Sequence, residues 1–260
     1  MSPSDEGTSR RQGMPDPSRV VDETVLAPER AQASAAPASG TQEYRILRTS
    51  ETDPYDVPLQ PDEVATLGLE RFAGFDDTYR GTARKAAKLS IAEAQVEDLA
   101  DIKDLIETLP AEEDMTSREP PITTDATSGR VDEENRNVRV RAFLYAASRE
   151  DDNDFHLIVG RAPDLESMYL TMELSGLPSQ ESDHFSTLEA AREAYKGFFG
   201  DNLPGASYDF YHPPIPVEIE GSLFFDKSHS SGSRPGPDSL RPDMPTIWEV
   251  HPVTNILFEP

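Results

Sequence analysis

From residue 137 onward the chain alternates with a period of two. Val138, Val140, Ala142 and Leu144 fall on one side of the repeat, and Arg139, Arg141, Phe143 and Tyr145 fall on the other. The acidic turn Glu150-Asp151-Asp152-Asn153-Asp154 ends this first strand, and a second strand follows with Phe155, Leu157 and Val159 inward. A third carries Met168, Leu170, Met172 and Leu174 on one face. The period then changes. Phe185 precedes Ser186-Thr187-Leu188-Glu189, which reads as a capping box and predicts a helix running to Phe199 with Gly200 as its stop. Ile215, Val217, Ile219, Gly221, Leu223 and Phe225 alternate along a fourth strand, and a fifth begins near Thr246 and ends near Phe258.

The N-terminal half is less regular. Residues 1–42 are rich in Pro, Ser, Ala and charge and carry too little apolar surface to offset their ordering entropy, so a disordered tail is expected. Residues 43–109 read as a helical appendage. Tyr44-Arg45-Ile46-Leu47 suits a short strand, and residues 61–72 suit a short helix begun by Pro61. Ser90-Ile91-Ala92-Glu93 reads as a second capping box. Leu99, Ile102, Leu105, Ile106 and Leu109 then recur at helical spacing until Pro110. Such an amphipathic helix packs on its own β domain or on another protein. Residues 110–136, with Glu112-Glu113-Asp114, Pro120-Pro121 and Asp132-Glu133-Glu134, read as an acidic linker ahead of a β domain over 137–260.

The order β-β-β-α-β-β, with its helix between strands three and four, is the OB topology. In this order the chain resembles OB-fold barrels, including the staphylococcal-nuclease-like branch with an acidic turn between strands one and two. It is also similar to uncharacterised bacterial proteins with Asp-x-Asp-x-His and Glu-x-His-Pro stretches, here Asp152-Asn153-Asp154-Phe155-His156 and Glu249-Val250-His251-Pro252. The resemblance covers about the last 120 residues and implies a fold without an activity. The expected fold class is therefore mostly β: a five-stranded OB-type barrel with an N-terminal helical appendage and a disordered tail.

Charge narrows the choice of partner. The chain has 49 acidic and 24 basic residues, a formal net charge of −25. A field of that sign repels phosphate backbones and anionic membranes, so a protein or small-ligand partner is expected over nucleic acid or lipid. Arg80, Arg84, Lys85 and Lys88 form one basic cluster, placed either to meet an anionic partner or to neutralise neighbouring carboxylates. Cysteine is absent, which removes disulfides, thiolate nucleophiles and the usual structural zinc sites. The opening Met1-Ser2-Pro3-Ser4-Asp5-Glu6 lacks the apolar core of a signal peptide, and no stretch approaches the roughly 20 apolar residues of a membrane span. A cytoplasmic protein is expected.

No catalytic set can be assigned, and no cofactor is evident beyond a candidate divalent metal. All five histidines, His156, His184, His212, His229 and His251, fall within the β domain. Asp154 and His156, and likewise Glu249 and His251, are two apart on a strand and share a face. A carboxylate beside an imidazole orients it for metal binding, or it is simply a hydrogen-bonded pair on a half-exposed strand. His229 lies in the long loop before strand five, so Asp152, Asp154, His156, His229, Glu249 and His251 are the candidate metal ligands. The third strand intervenes between the two pairs. At roughly 10 Å of strand separation, one ion does not reach both.

Two related chemistries fit less well. A nuclease needs further carboxylates and arginines, for which Arg161 and Glu173 are the nearby candidates without a recognisable spacing. A calcium loop fails because Phe155 stands at the turn-glycine position and Arg161 at the final-Glu position. An alternative binding face consists of Arg139, Arg141, Phe143, Tyr145 and Tyr169, where aromatics interleaved with arginine suit stacking on the bases of single-stranded nucleic acid. The competing reading buries that face under the N-terminal appendage. A binding module is thus the leading expectation, with a metal-dependent hydrolase and a single-stranded nucleic-acid binder as the alternatives.

Overall fold

A computed structural model describes residues 13–28, 42–53, 77–232 and 234–258. It contains eight strands: β1 (Val20–Leu26), β2 (Tyr44–Thr49), β3 (Val96–Leu99), β4 (Asn137–Arg149), β5 (Phe155–Gly160), β6 (Tyr169–Leu174), β7 (Asp209–Phe225) and β8 (Trp248–Phe258). Among the described residues four α-helices accompany them: α1 (Lys85–Lys88), α2 (Ile102–Glu107), α3 (Glu112–Thr116) and α4 (Phe185–Phe199). No helix among the described residues is long and apolar enough to cross a membrane.

The strands form one mixed sheet in the order β1-β2-β7-β8-β6-β5-β4-β3, and β7 also pairs with β4. The pairings β4–β5–β6–β8–β7 therefore return to β4. The β6–β8 and β3–β4 pairs are parallel and the others antiparallel. Between Leu144 and Ala146 the register of β4 shifts against both β5 and β7, and such a bulge bends a long strand.

One face of these strands is aliphatic. Val138, Val140, Ala142 and Leu144 of β4, Leu157 and Val159 of β5, and Leu170, Met172 and Leu174 of β6 join Ile219, Val250 and Trp248 in a single buried core. Helix α4 adds Ala191, Tyr195 and Phe199 to that core, and Gly200 ends it at φ +54°, a left-handed conformation that a residue with a Cβ rarely adopts. The alternation read from the sequence predicts this face correctly.

Several expectations change. The sheet has eight strands and not five, because β1, β2 and β3 extend it from the N-terminal half. Strand β7 starts at Asp209, earlier than the alternation suggests, and its first residues receive β2 in the register Arg45↔His212. Residues 20–26 of the expected tail form β1 along β2, whereas the rest of the tail and the expected 61–72 helix fall mainly outside the described residues.

The expected 90–109 helix is a short strand followed by a six-residue helix. Asn137 captures the carbonyls of Ala92 and Ala94 through its side-chain amide, Ser222 accepts from the Ala92 amide, and Val96–Leu99 then pairs in parallel with the start of β4. Ser90 and Glu93 therefore cap nothing. Nor does Ser186 cap α4, which starts one residue earlier behind His184.

The acidic stretch over 110–136 is also part of the packed structure. Trp248 donates its indole N–H to the Pro110 carbonyl, and Glu134 is fully buried. Both carboxylate oxygens of Glu134 receive Arg84, at 2.6 and 2.8 Å, and they also accept the amides of Phe225 and Val131. Glu134→Ala leaves a buried guanidinium without its counter-charge, so a loss of about 3–5 kcal/mol is expected in urea unfolding. A loss below about 1 kcal/mol would mean that Arg84 finds water instead.

Candidate functional site

The opposite face of β5, β6 and β8 is polar and still buried. In-register pairing sets His156 of β5 against Glu173 of β6, and Thr171 of β6 against Glu249 of β8. His251 stands two residues beyond Glu249 on the same face. Two segments cover this surface. Residues 77–92 cross the β4–β5 turn, tied there by Arg80 N–H to Asp152 O at 2.9 Å, Asn153 Nδ2 to Thr78 O at 2.9 Å, and Ser175 Oγ to Lys88 O at 3.2 Å. The loop after β7 lies alongside, with Leu240 and Met244 packed against Ile158 in a second apolar cluster.

Lys88 reaches from α1 into the carboxylates. Its Nζ donates to Asp152 Oδ2 at 3.2 Å and lies 3.7 Å from Glu173 Oε2 and 3.8 Å from Asp154 Oδ2. Asp154 also accepts the Gly176 amide at 2.6 Å through Oδ1, and its Oδ2 lies 3.5 Å from His251 Nε2. Glu173 Oε2 lies 2.7 Å from His251 Nδ1. Asp154 Oδ2, Glu173 Oε2, both Glu249 oxygens and both His251 nitrogens are buried and make no hydrogen bond among the described residues. His156 Nδ1 meets Glu150 and, at 3.1 Å, the Tyr208 hydroxyl.

Burial and charge set the protonation of each group. Burial disfavours the Lys88 ammonium, but Glu173, Asp152 and Asp154 outweigh it and hold Lys88 charged well above its usual range. Burial raises Glu173, but the Lys88 ammonium reverses this and leaves it ionised well below the usual carboxylate range. Asp154 and Glu249 are pushed well up, first by burial and then by Asp152 beside the former and Glu173 beside the latter. Burial lowers His251 despite Glu173, so its ring is neutral and able to ligate a metal. Burial also pulls on His156, yet Glu150 drives it up to about 10, while burial raises Glu150 itself to about 7.

Three groups of residues bring one ligand atom each within 4.8 Å of the others: Glu150, His156 and Glu173; Asp154, Glu173 and His251; and Asp226, His229 and Glu249. The six candidate ligands read from the sequence therefore divide. Asp154 and His251 meet across the sheet because Asp154 sits in the turn ahead of β5 and Glu173 fills the strand between them. One residue of each pair thus comes together, while His156 and Glu249 fall in the other two groups. Asp152 faces Lys88, and His229 pairs with Asp226 at 3.2 Å, beside Glu249. His184 precedes α4 and His212 lies on β7, both outside these groups.

The arginine–aromatic face is not free for stacking. Tyr145 and Tyr169 are 1% and 2% exposed and pack edge-on at 5.0 Å between centroids, with Gly13 seated against Tyr145. Arg139 bonds Glu220 and Asp98, and Arg141 bonds Glu218. Phe143 is half-buried beside Arg161, which is paired to Asp101 and is remote from Glu173 in role. Two of the four residues of the basic cluster turn inward, Arg84 to Glu134 and Lys88 to the centre, while Arg80 and Lys85 are exposed.

Lys88, Glu150 and Glu173 are the functional residues that spacing does not reveal. Glu173 carries one available signal, as a carboxylate in the strand Tyr169-Leu170-Thr171-Met172-Glu173-Leu174 on the same side as the histidines of the neighbouring strands. Compared with protein-family models, curated proteins and solved structures, the chain has no match.

Proposed function

We propose that this chain is an OB-type barrel module that binds a divalent cation through Asp154, Glu173 and His251. The barrel reading is supported by the cycle of pairings through β4, β5, β6, β8 and β7, with α4 between its third and fourth strands. The cation reading is carried by one observation: three buried ligand groups from three separate segments converge within 4.8 Å, with acceptor atoms that no hydrogen bond occupies. Asp154 Oδ2 lies 3.5 Å from His251 Nε2, close to the spacing of about 3.4 Å between two ligands on a tetrahedral ion, while Glu173 stands 2.7 Å from the other ring nitrogen, Nδ1. A two-carboxylate, one-imidazole set suits Zn²⁺ or Mn²⁺. Its burial beneath residues 77–92 suits an ion that fastens this cover to the sheet.

Calorimetric titration of the full chain with Mn²⁺ tests the proposal. Glu173→Gln keeps the shape and removes the charge at the centre of the set, so binding to this set should fall at least about 10-fold. Unchanged affinity in that folded variant rules out the assignment. A hydrolytic reading of the same centre draws on Glu150, whose carboxyl at about 7 suits proton transfer near neutrality. Turnover of a phosphodiester by the Mn²⁺-loaded chain would separate it from simple binding.

A further inference from the structure

We infer that Asp226, His229 and Glu249 form a second, separate cation site that holds the loop after β7 against β8. It extends the reading above to different ligand residues. One ligand atom from each of the three lies within 4.8 Å of the others, although Asp226 directly follows β7, His229 belongs to the turn that Asp226 caps and Glu249 belongs to β8. Asp226 already shapes this turn, since its Oδ1 accepts the Ser228 amide at 2.8 Å while Oδ2 faces His229 Nε2 at 3.2 Å.

The independent observation is Glu249. It is 1% exposed, and neither of its oxygens accepts a hydrogen bond among the described residues. A buried carboxylate in that condition carries a large desolvation cost that only a proton or a cation removes. Lys88 lies closest to Asp152, Glu173 and Asp154, so its ammonium serves the first centre. Glu249 Oε2 lies 3.8 Å from His251 Nδ1, which places the two sites side by side along β8 with no ligand in common. The chain at Lys227–Ser231 would then be fixed by an ion bridging it to the sheet.

The same Mn²⁺ titration distinguishes the two sites when run on the wild type, Asp226→Asn and Glu173→Gln. Asp226→Asn keeps a side-chain oxygen for the Ser228 amide and removes only the ligand charge. The expected result is about two equivalents for the wild type and about one for each variant. Hydrogen exchange over Lys227–Ser231 should be slowed by Mn²⁺ in the wild type and in Glu173→Gln, but not in Asp226→Asn. A single equivalent that Glu173→Gln removes and Asp226→Asn leaves overturns the second site while keeping the first. A single equivalent with the opposite sensitivity keeps the second site and overturns the first. Loss of both equivalents together in Asp226→Asn overturns the separation, and absence of binding overturns both assignments.

Discussion

Lys88→Met is expected to destabilise the metal-free protein by about 3–5 kcal/mol, the range found when one member of a buried charged set is removed. Methionine matches the length of the lysine stem, so packing is largely retained and the loss is electrostatic. Without the ammonium, Asp152 and Asp154 lose the cation that faces them, and Glu173 retains only the charged His156 beside it among the described residues. The variant then offers a direct comparison between lysine and metal. Because a ligand that binds only the folded state stabilises it by mass action, excess Mn²⁺ should return much of the lost stability and should help the variant more than the wild type. Equal Mn²⁺ stabilisation of both proteins would show that Lys88 and the ion do not share the carboxylates.

The second large effect is on pH. The folded value for His156, about 10, lies above the roughly 6.5 of an unfolded histidine. Its stabilisation is therefore complete below about pH 6.5 and is lost as the pH rises toward 10. Asp154, Glu249 and Glu150 are raised as well, and each makes the folded chain hold protons that the unfolded chain has released. Glu173 and His251 are lowered and act in the opposite sense, but only at lower pH, where their unfolded forms titrate. Between pH 7.5 and 9.5 the metal-free protein should therefore lose roughly 2–3 kcal/mol. Urea unfolding at several pH values measures this, and His156→Gln should flatten most of the slope. If the slope survives in that variant, the titrating group is elsewhere.

Period-two alternation was enough to read β4, β5, β6 and the second half of β7 and the aliphatic face they share, because strand pleating puts every second side chain in one core. Helix α4 was read from a capping box that Ser186 does not form, although its extent and its stop at Gly200 agree with the structure. The error at Ser90 has a definite cause. Leu99, Ile102 and Leu105 fit helical spacing, but Asn137 and Ser222 take up the backbone of Ala92 and Ala94, and a parallel pairing with β4 converts the next residues into a strand. Those partners lie more than 40 residues away, beyond any local pattern. The histidines and their neighbouring carboxylates were legible as candidates. Their grouping was not, because it depends on Glu173 standing between two strands and on Lys88 arriving from a basic cluster whose carboxylate partners no local spacing names.

The reach of Arg84 and Lys88 across the chain also bears on how this protein can be cut or recombined. Residues 137–258 contain the five strands of the cycle and α4, and by topology alone they look like a portable unit. Electrostatically they are not. A gene fusion that moved them alone would carry Asp152, Asp154 and Glu173 into a new context and leave Lys88 behind, while a boundary drawn earlier, to include Glu134, would strand that carboxylate from Arg84. The inheritable module therefore begins no later than the segment that brings these two cations, whatever its strands suggest.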